Sequence, residues 1–193
     1  MDFILEIPNS LSEDLCKEMI ARFENDSRKL PGIAGNPGAV IPVKKSLDLC
    51  FSSMSDWSDI DKILQRELMH GVHLYQEHLR KIGCTHHFGS NTRDTGYQIQ
   101  KTVEGEYYGW HNDSSLPNDR FLTFIWYLTS HDPIKDGGGT AFHPTCANGK
   151  IITPETGKLL IFPATWTYVH MGLPLITNRP KYICTGWVSS PDM

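Results

Sequence analysis

Phe121-Leu122-Thr123-Phe124-Ile125-Trp126-Tyr127-Leu128-Thr129 is an unbroken run of apolar, aromatic and β-branched residues. It is short, rich in strand formers, and closed behind by Ser130-His131-Asp132-Pro133, so it reads as a β-strand. Similar runs surround it: Tyr97 to Val103, Gly139 to His143, Lys150 to Thr153, Lys158 to Phe162, Thr167 to His170 and Lys181 to Val188. Gly, Pro, Asn and Asp punctuate them. Seven short strands at close spacing predict a sandwich or barrel.

Upstream of residue 95 the pattern changes from strand to helix. Leu11, Leu15, Met19 and Phe23, with Cys16 and Ile20 beside them, recur at helical spacing, and Ser10 with Glu13 forms a capping box. Ile60, Leu64, Leu68, Val72, Tyr75, Leu79 and Ile82 predict a long second helix with Gly71 inside it. Ser58 with Asp61 offers its cap and Gly83 its stop. Residues 28–54 hold Pro31-Gly32, Pro37-Gly38 and Pro42, which predicts a loop with one strand near 46–51. With Lys44-Lys45, that loop reads either as a lid over the barrel mouth or as a solvated connection. The expected architecture is mainly β: one domain over 1–193, with residues 1–94 as helical support and loop and 95–193 as the β core, helices packed outside.

The 193 residues carry 18 basic and 22 acidic side chains, a net charge of −4, with 39% hydrophobic residues. That composition is globular. A weakly acidic chain is a poor nucleic-acid binder, because phosphate contacts need clustered Lys and Arg. No apolar run reaches the length of a membrane span. Met1 to Glu6 lacks the basic and apolar regions of a signal peptide. Five scattered cysteines make no disulfide framework. A cytoplasmic protein, without membrane or nucleic-acid partner, is the expectation.

Two places carry chemistry. In His111-Asn112-Asp113 the first and third side chains point the same way on an extended segment, while Trp110 and Asn112 face away. Fifty-nine residues on stands His170, in a second strand-like run. Two imidazoles and one carboxylate on one side of a metal leave the opposite positions open, as in the facial triad of non-haem Fe(II) oxygenases. A core His170 beside a surface His111–Asp113 pair fits the same spacing. The second place is Lys181-Tyr182-Ile183-Cys184-Thr185-Gly186-Trp187. Strand alternation puts Lys181, Ile183, Thr185 and Trp187 on one face, and no acidic residue stands near in sequence to pair the lysine. A bound dicarboxylate would be a partner; an exposed lysine opening the strand is the plainer reading.

From Gln98 to Trp187 the chain resembles the Fe(II)/2-oxoglutarate-dependent dioxygenases of the prolyl 4-hydroxylase-like branch. The matching features come in family order: Gly105, Tyr108, His111-X-Asp113, Arg120, Thr123, Tyr127-Leu128, Gly137-Gly-Gly-Thr-Ala-Phe142, Pro154-X-X-Gly-Lys-Leu-Leu-Ile-Phe-Pro163, His170 and Lys181-Tyr-X-X-Thr-X-Trp187. Where the family often has Tyr, nine residues before the first histidine, this chain has Thr102. The resemblance implies a double-stranded β-helix (jelly roll) with the helices outside its major sheet. It implies Fe(II) held by His111, Asp113 and His170, and 2-oxoglutarate met by Lys181, Tyr127, Thr185 and Tyr108, with Arg179 as rival to Lys181. It further implies hydroxylation of a prolyl residue in a peptide, with release of succinate and CO₂ and L-ascorbate as an optional reductant. A free amino acid or other metabolite as substrate, and a non-catalytic jelly-roll binding protein, are the alternatives. A nucleic-acid demethylase is disfavoured by Trp187, where that branch resembles a second arginine. A halogenase is disfavoured by Asp113, where it needs a small residue.

The remaining signals are weaker. Cys84, His86 and His87, with His78 before them, lack a fourth zinc ligand at standard spacing and read as histidines favoured by a helix C-terminus. Gly137-Gly138-Gly139 is no P-loop, since no Gly-Lys-Ser/Thr follows. Trp110, Trp126, Trp166 and Tyr168 are expected in the core, as is an inert Cys184.

Overall fold

The computed structural model describes residues 2–32, 44–85, 88, 92–114, 119–145 and 147–190. In chain order the elements are β1 (Leu5–Ile7), α1 (Glu13–Asn25), β2 (Leu30–Pro31), β3 (Leu47–Cys50), α2 (Ser58–Lys81), β4 (Arg93–Asp94), β5 (Gln98–Thr102), β6 (Tyr108–His111), β7 (Arg120–Tyr127), β8 (Thr140–Phe142), β9 (Ile151–Ile152), β10 (Leu159–Pro163), β11 (His170–Gly172) and β12 (Lys181–Ser189). All seven expected strands are present within a residue or two, except that β11 begins at His170 where the expected run ended. A turn intervenes, with the Tyr168 N–H donating to the Thr165 carbonyl.

The strands form two antiparallel sheets. The major one runs β1-β10-β7-β12-β5-β3-β2, with β4 also on β12, and the minor one runs β6-β11-β8-β9. Short β1, β2 and β4 and the strand β6 were not foreseen. β1 closes one edge of the major sheet, with Leu5 opposite Ile161 and Ile7 opposite Leu159. This is the jelly roll expected, with both helices outside the major sheet.

Alternation divides each central strand. From β7, Leu122, Phe124 and Trp126 join the apolar core under the helices, with Met19 and Phe23 of α1 and Leu64, Leu68 and Tyr75 of α2. Ile125 and Tyr127 face the other sheet, beside Phe142, Leu160 and Phe162. Gly71 lets α2 lie close on β10: a Cβ there would stand 2.6 Å from Leu159 Cδ2.

Both helix starts differ from expectation. The cap of α1 is Ser12, whose Oγ accepts from Leu15 N–H at 3.2 Å. Ser10 instead accepts a hydrogen bond from Trp126 Nε1 at 3.0 Å, a contact that joins the turn before α1 to β7. Ser58 is already helical, because the turn Ser55–Trp57 leads directly into α2 without a side-chain cap. At the far end Gly83 stops α2 as expected, with Cys84 N–H donating to the Leu79 carbonyl.

Trp126 and Cys184 are buried as expected, but Trp110 and Trp166 are 46% and 75% exposed. Trp110 sits on the outer face of β6, the side opposite His111, and its ring meets His143 edge-on. His86 and His87 lie outside the described residues; His78 is engaged with the Asp2 carbonyl. Residues 33–43 of the suspected lid also lie outside. No described helix is long and apolar enough to cross a membrane.

Candidate active site

The site lies inside the sandwich, in a cavity of about 660 Å³ counted out to its open mouth. β6 and β11 are neighbours, and their register sets His111 directly opposite His170. Asp113 follows β6 and is held by its own N–H, which donates to the Ala164 carbonyl. His111 Nε2 is 3.7 Å from Asp113 Oδ1, and His170 Nε2 is 3.5 Å from Asp113 Oδ2. One ligand atom from each residue lies within 4.8 Å of the others, and this is the metal-ligating cluster found among the described residues.

The surroundings aim these atoms. His111 Nδ1 is 2.8 Å from the Gly109 carbonyl, and His170 Nδ1 is 3.0 Å from the Tyr168 carbonyl. A carbonyl can only accept, so each Nδ1 carries a proton, and each Nε2 is the ring atom turned toward Asp113. Burial, then the neighbouring His170, pushes the His111 pKa down to about 4. The ring is therefore neutral at pH 7, the form a metal takes. Thr123 Oγ1 donates to Asp113 Oδ2 at 2.6 Å and fixes the carboxylate. Tyr108 stacks flat on His111, with ring centroids 3.5 Å apart and planes 9° apart. Two imidazoles and a carboxylate with open positions fit Fe(II), which when bound would supply O₂ activation.

β12 supplies Lys181, Ile183, Thr185 and Trp187 to the same cavity, the four residues that alternation placed on one face. Lys181 is only 6% exposed, and its Nζ donates to the Gly138 carbonyl. No carboxylate of the described residues forms a salt bridge with it. Burial alone pushes its pKa down to about 8. Arg179 is elsewhere: it is on the outer surface, where Nη2 pairs with Asp136 Oδ2 at 2.6 Å. At the other end of β12 the Arg120 guanidinium lies 3.6 Å from the Trp187 ring centroid, a cation–π contact.

Two hydroxyls sit differently from what the resemblance implied. Tyr127 is fully buried and does not line the cavity; its hydroxyl donates to Thr140 Oγ1 at 2.7 Å, and Thr140 does line it. Thr140 Oγ1 accepts in that contact and so keeps its own proton to donate. Thr185 lines the cavity but donates to the Phe124 carbonyl, so toward a ligand it offers lone pairs only. Sequence reading also passed over Gln100, Ile125 and Leu173 as lining residues. The signal for Gln100 and Ile125 was strand alternation. Thr102 lines the cavity as the cross-strand neighbour of Lys181, without the aromatic hydroxyl of a tyrosine. Lys44, Lys45 and Ser46, which flank the undescribed loop residues, also line the cavity. Lys44 is paired with Asp48 and lies over the Tyr108 ring.

Residues 97–189, from β5 to the end of β12, match the family model of the 2OG-Fe(II) oxygenase superfamily. This segment belongs to the 2OG-Fe(II) oxygenase superfamily. The oxygenase segment thus contains the whole triad and Lys181, whereas β1 to β4 and both helices lie before it. Among curated proteins, the chain is 26% identical over 94 residues to a PKHD-type hydroxylase of Synechococcus sp. (strain CC9605). That match covers 48% of this chain and 40% of the relative, so the chain spans about two fifths of the relative's length. Among solved structures, the oxygenase fold matches a prolyl hydroxylase from Trichoplax adhaerens, in complex with a hypoxia inducible factor peptide fragment, at a TM-score of 0.79 and 15% identity. That alignment covers 100% of this chain and 86% of the other. A viral collagen prolyl hydroxylase from Paramecium Bursaria Chlorella virus-1, in its 2OG complex, matches at 0.70 and 19% identity, over 98% and 96% of the two chains.

Proposed function

We propose that the protein is an Fe(II)- and 2-oxoglutarate-dependent dioxygenase that hydroxylates a residue of a peptide, a prolyl residue first, releasing succinate and CO₂. The observation that carries this reading is one cavity with an oriented His111–Asp113–His170 triad on one wall and a buried, carboxylate-free Lys181 on another. A buried ammonium without a counter-charge is costly in an empty protein, and a dianion answers it. In this reading His111, Asp113 and His170 hold the metal, and Lys181 with Thr140 orients the far carboxylate. The apolar neighbours Ile125, Ile183 and Leu173 keep water out.

A second groove supports a peptide over a free amino acid. It shares Thr185 and Trp187 with the cavity and continues past them along Cys50, Ser52, Ser53, Thr95 and Gln98. None of these residues is charged, whereas a free amino acid calls for a paired acid and base. The two prolyl hydroxylases of matching fold point the same way by analogy. A reducing, cytoplasmic setting suits the free cysteines Cys16, Cys50, Cys84 and Cys184.

The test is succinate release with Fe(II), 2-oxoglutarate and O₂, with and without L-ascorbate, against a panel of prolyl peptides and free amino acids. Stimulation by a peptide is expected. Stimulation by a free amino acid alone would move the substrate class, and no succinate from the wild type under any condition would favour the non-catalytic binding protein. His111→Ala, Asp113→Ala and His170→Ala should each abolish turnover in folded protein, since two ligands hold Fe(II) poorly against water.

A further inference from the structure

The ammonium of Lys181 is held from one side by residues 137–139. Gly138 has φ +72°, a left-handed backbone that glycine adopts without strain, and this turns its carbonyl onto Lys181 Nζ. Gly138 also lies directly against the lysine stem. A Cβ at this position would stand 3.1 Å from Lys181 Cδ and 3.0 Å from Leu175 Cδ1. The backbone around it is zipped in place: Gly138 N–H donates to the Pro174 carbonyl, Ile176 N–H to Asp136 and Leu173 N–H to Gly139. The carbonyl is therefore a fixed point, while the lysine stem is a flexible chain of four carbons.

Resting on the dioxygenase reading above, we propose that Gly138 is a positioning residue for the cosubstrate cation. Its carbonyl and its bare Cα together fix where in the cavity the Lys181 ammonium stands. One N–H of the ammonium is committed to the carbonyl, and the other two are left for the far carboxylate of 2-oxoglutarate. The distance between that carboxylate and the triad is then set by backbone, and Gly138 touches neither ligand nor metal. The lowered Lys181 pKa fits this arrangement, since the neutral carbonyl compensates burial only in part.

The experiment is anaerobic calorimetric titration of 2-oxoglutarate into Fe(II)-loaded wild type, Gly138→Ala, Lys181→Met and the double variant. Co(II) absorption reads the triad separately. Gly138→Ala should bind 2-oxoglutarate about tenfold more weakly, the scale of one perturbed hydrogen bond to a charged group. Its Co(II) spectrum should match the wild type. In the Lys181→Met background the same substitution should have no further effect, because the group it positions is gone. Gly138→Asn, which tolerates left-handed backbone better than Ala, serves if Gly138→Ala does not fold, with the same expectation. Wild-type affinity in the folded Gly138 variant would overturn the proposal, as would an equal loss in both backgrounds, the mark of general strain. A wild type that binds Co(II) but no 2-oxoglutarate would instead overturn the dioxygenase reading, and this proposal with it.

Discussion

Along β12, Tyr182, Cys184 and Val188 pack under the helices while Lys181, Ile183, Thr185 and Trp187 line the cavity. β7 divides the same way, with Leu122, Phe124 and Trp126 on the helix side and Thr123 and Ile125 on the other. Both faces belong to the same backbone, so they share hydrogen bonds and register. They differ in what their side chains are asked to do. The helix face is continuous apolar packing, whereas the cavity face keeps a buried ammonium that stability alone would replace with methionine or leucine. A one-residue slip of either strand would exchange the two faces, so fold and site depend on one register.

Substitutions on the two faces should separate stability from binding. Phe124→Ala, on the fully buried helix face, should cost about 3–5 kcal/mol in denaturant unfolding, through lost transfer energy and a cavity among Tyr97 and Trp126. A cost near zero would mean that the helix face is not the core. Lys181→Met, one strand over on the cavity face, should do the reverse. Affinity for 2-oxoglutarate should fall by roughly two to three orders of magnitude, with stability unchanged or raised.

The same variant carries a pH signature. The Lys181 pKa is lowered from 10.5 to about 8 by burial. Below pH 8 both folded and unfolded states hold the proton. Between pH 8 and 10.5 the unfolded state alone holds it, so this group makes the ligand-free protein more stable as pH rises, by up to about 3 kcal/mol. Buried Tyr75, Tyr97, Tyr127 and Cys184 have raised pKa values and act in the opposite direction. The readout is therefore wild type minus Lys181→Met across that window, and a flat difference would show that the lysine is not buried as described.

Thr123→Val sharpens the comparison within β7, because it changes the cavity face beside an untouched Phe124. Asp113 loses the hydroxyl on Oδ2, so metal affinity should fall about 10- to 100-fold with little change in unfolding. The smallest effect belongs to Arg179→Ala. Its pair with Asp136 is on the surface and worth roughly 0–1 kcal/mol, and 2-oxoglutarate affinity should not move.

What could be read from the sequence follows the same division. The strands of the core were legible because β-branched and aromatic runs alternate with Gly, Pro and Asn breaks. The spacing of His111 and Asp113 on extended chain made only that pair legible, and His170 joined it through the family resemblance; β12 was legible because its alternation names its cavity face. β1, β2 and β4 are two or three residues long and carry no period; pairing with a distant strand makes them strands. The caps misled for a similar reason. Ser10 has the local pattern of a cap, but Trp126, 116 residues away, takes its hydroxyl, and Ser12 caps instead. Tyr127 against Thr140 was a matter of depth: both face inward, and sequence cannot say which is in front.

The pairing of β1 with β10 has a consequence for synthesis. Leu5 leaves the ribosome long before its partner Ile161, which is 161 − 5 = 156 residues later. At about 5–20 residues per second, that strand waits roughly 8–30 s with its backbone donors and acceptors answered only by water. Lys181 is made later still. The major sheet therefore cannot close at its β1 edge, nor the cavity acquire its cation, until translation of the oxygenase segment is almost done. A nascent chain released early should carry half a sandwich with an open sheet edge, a state that invites pairing between copies.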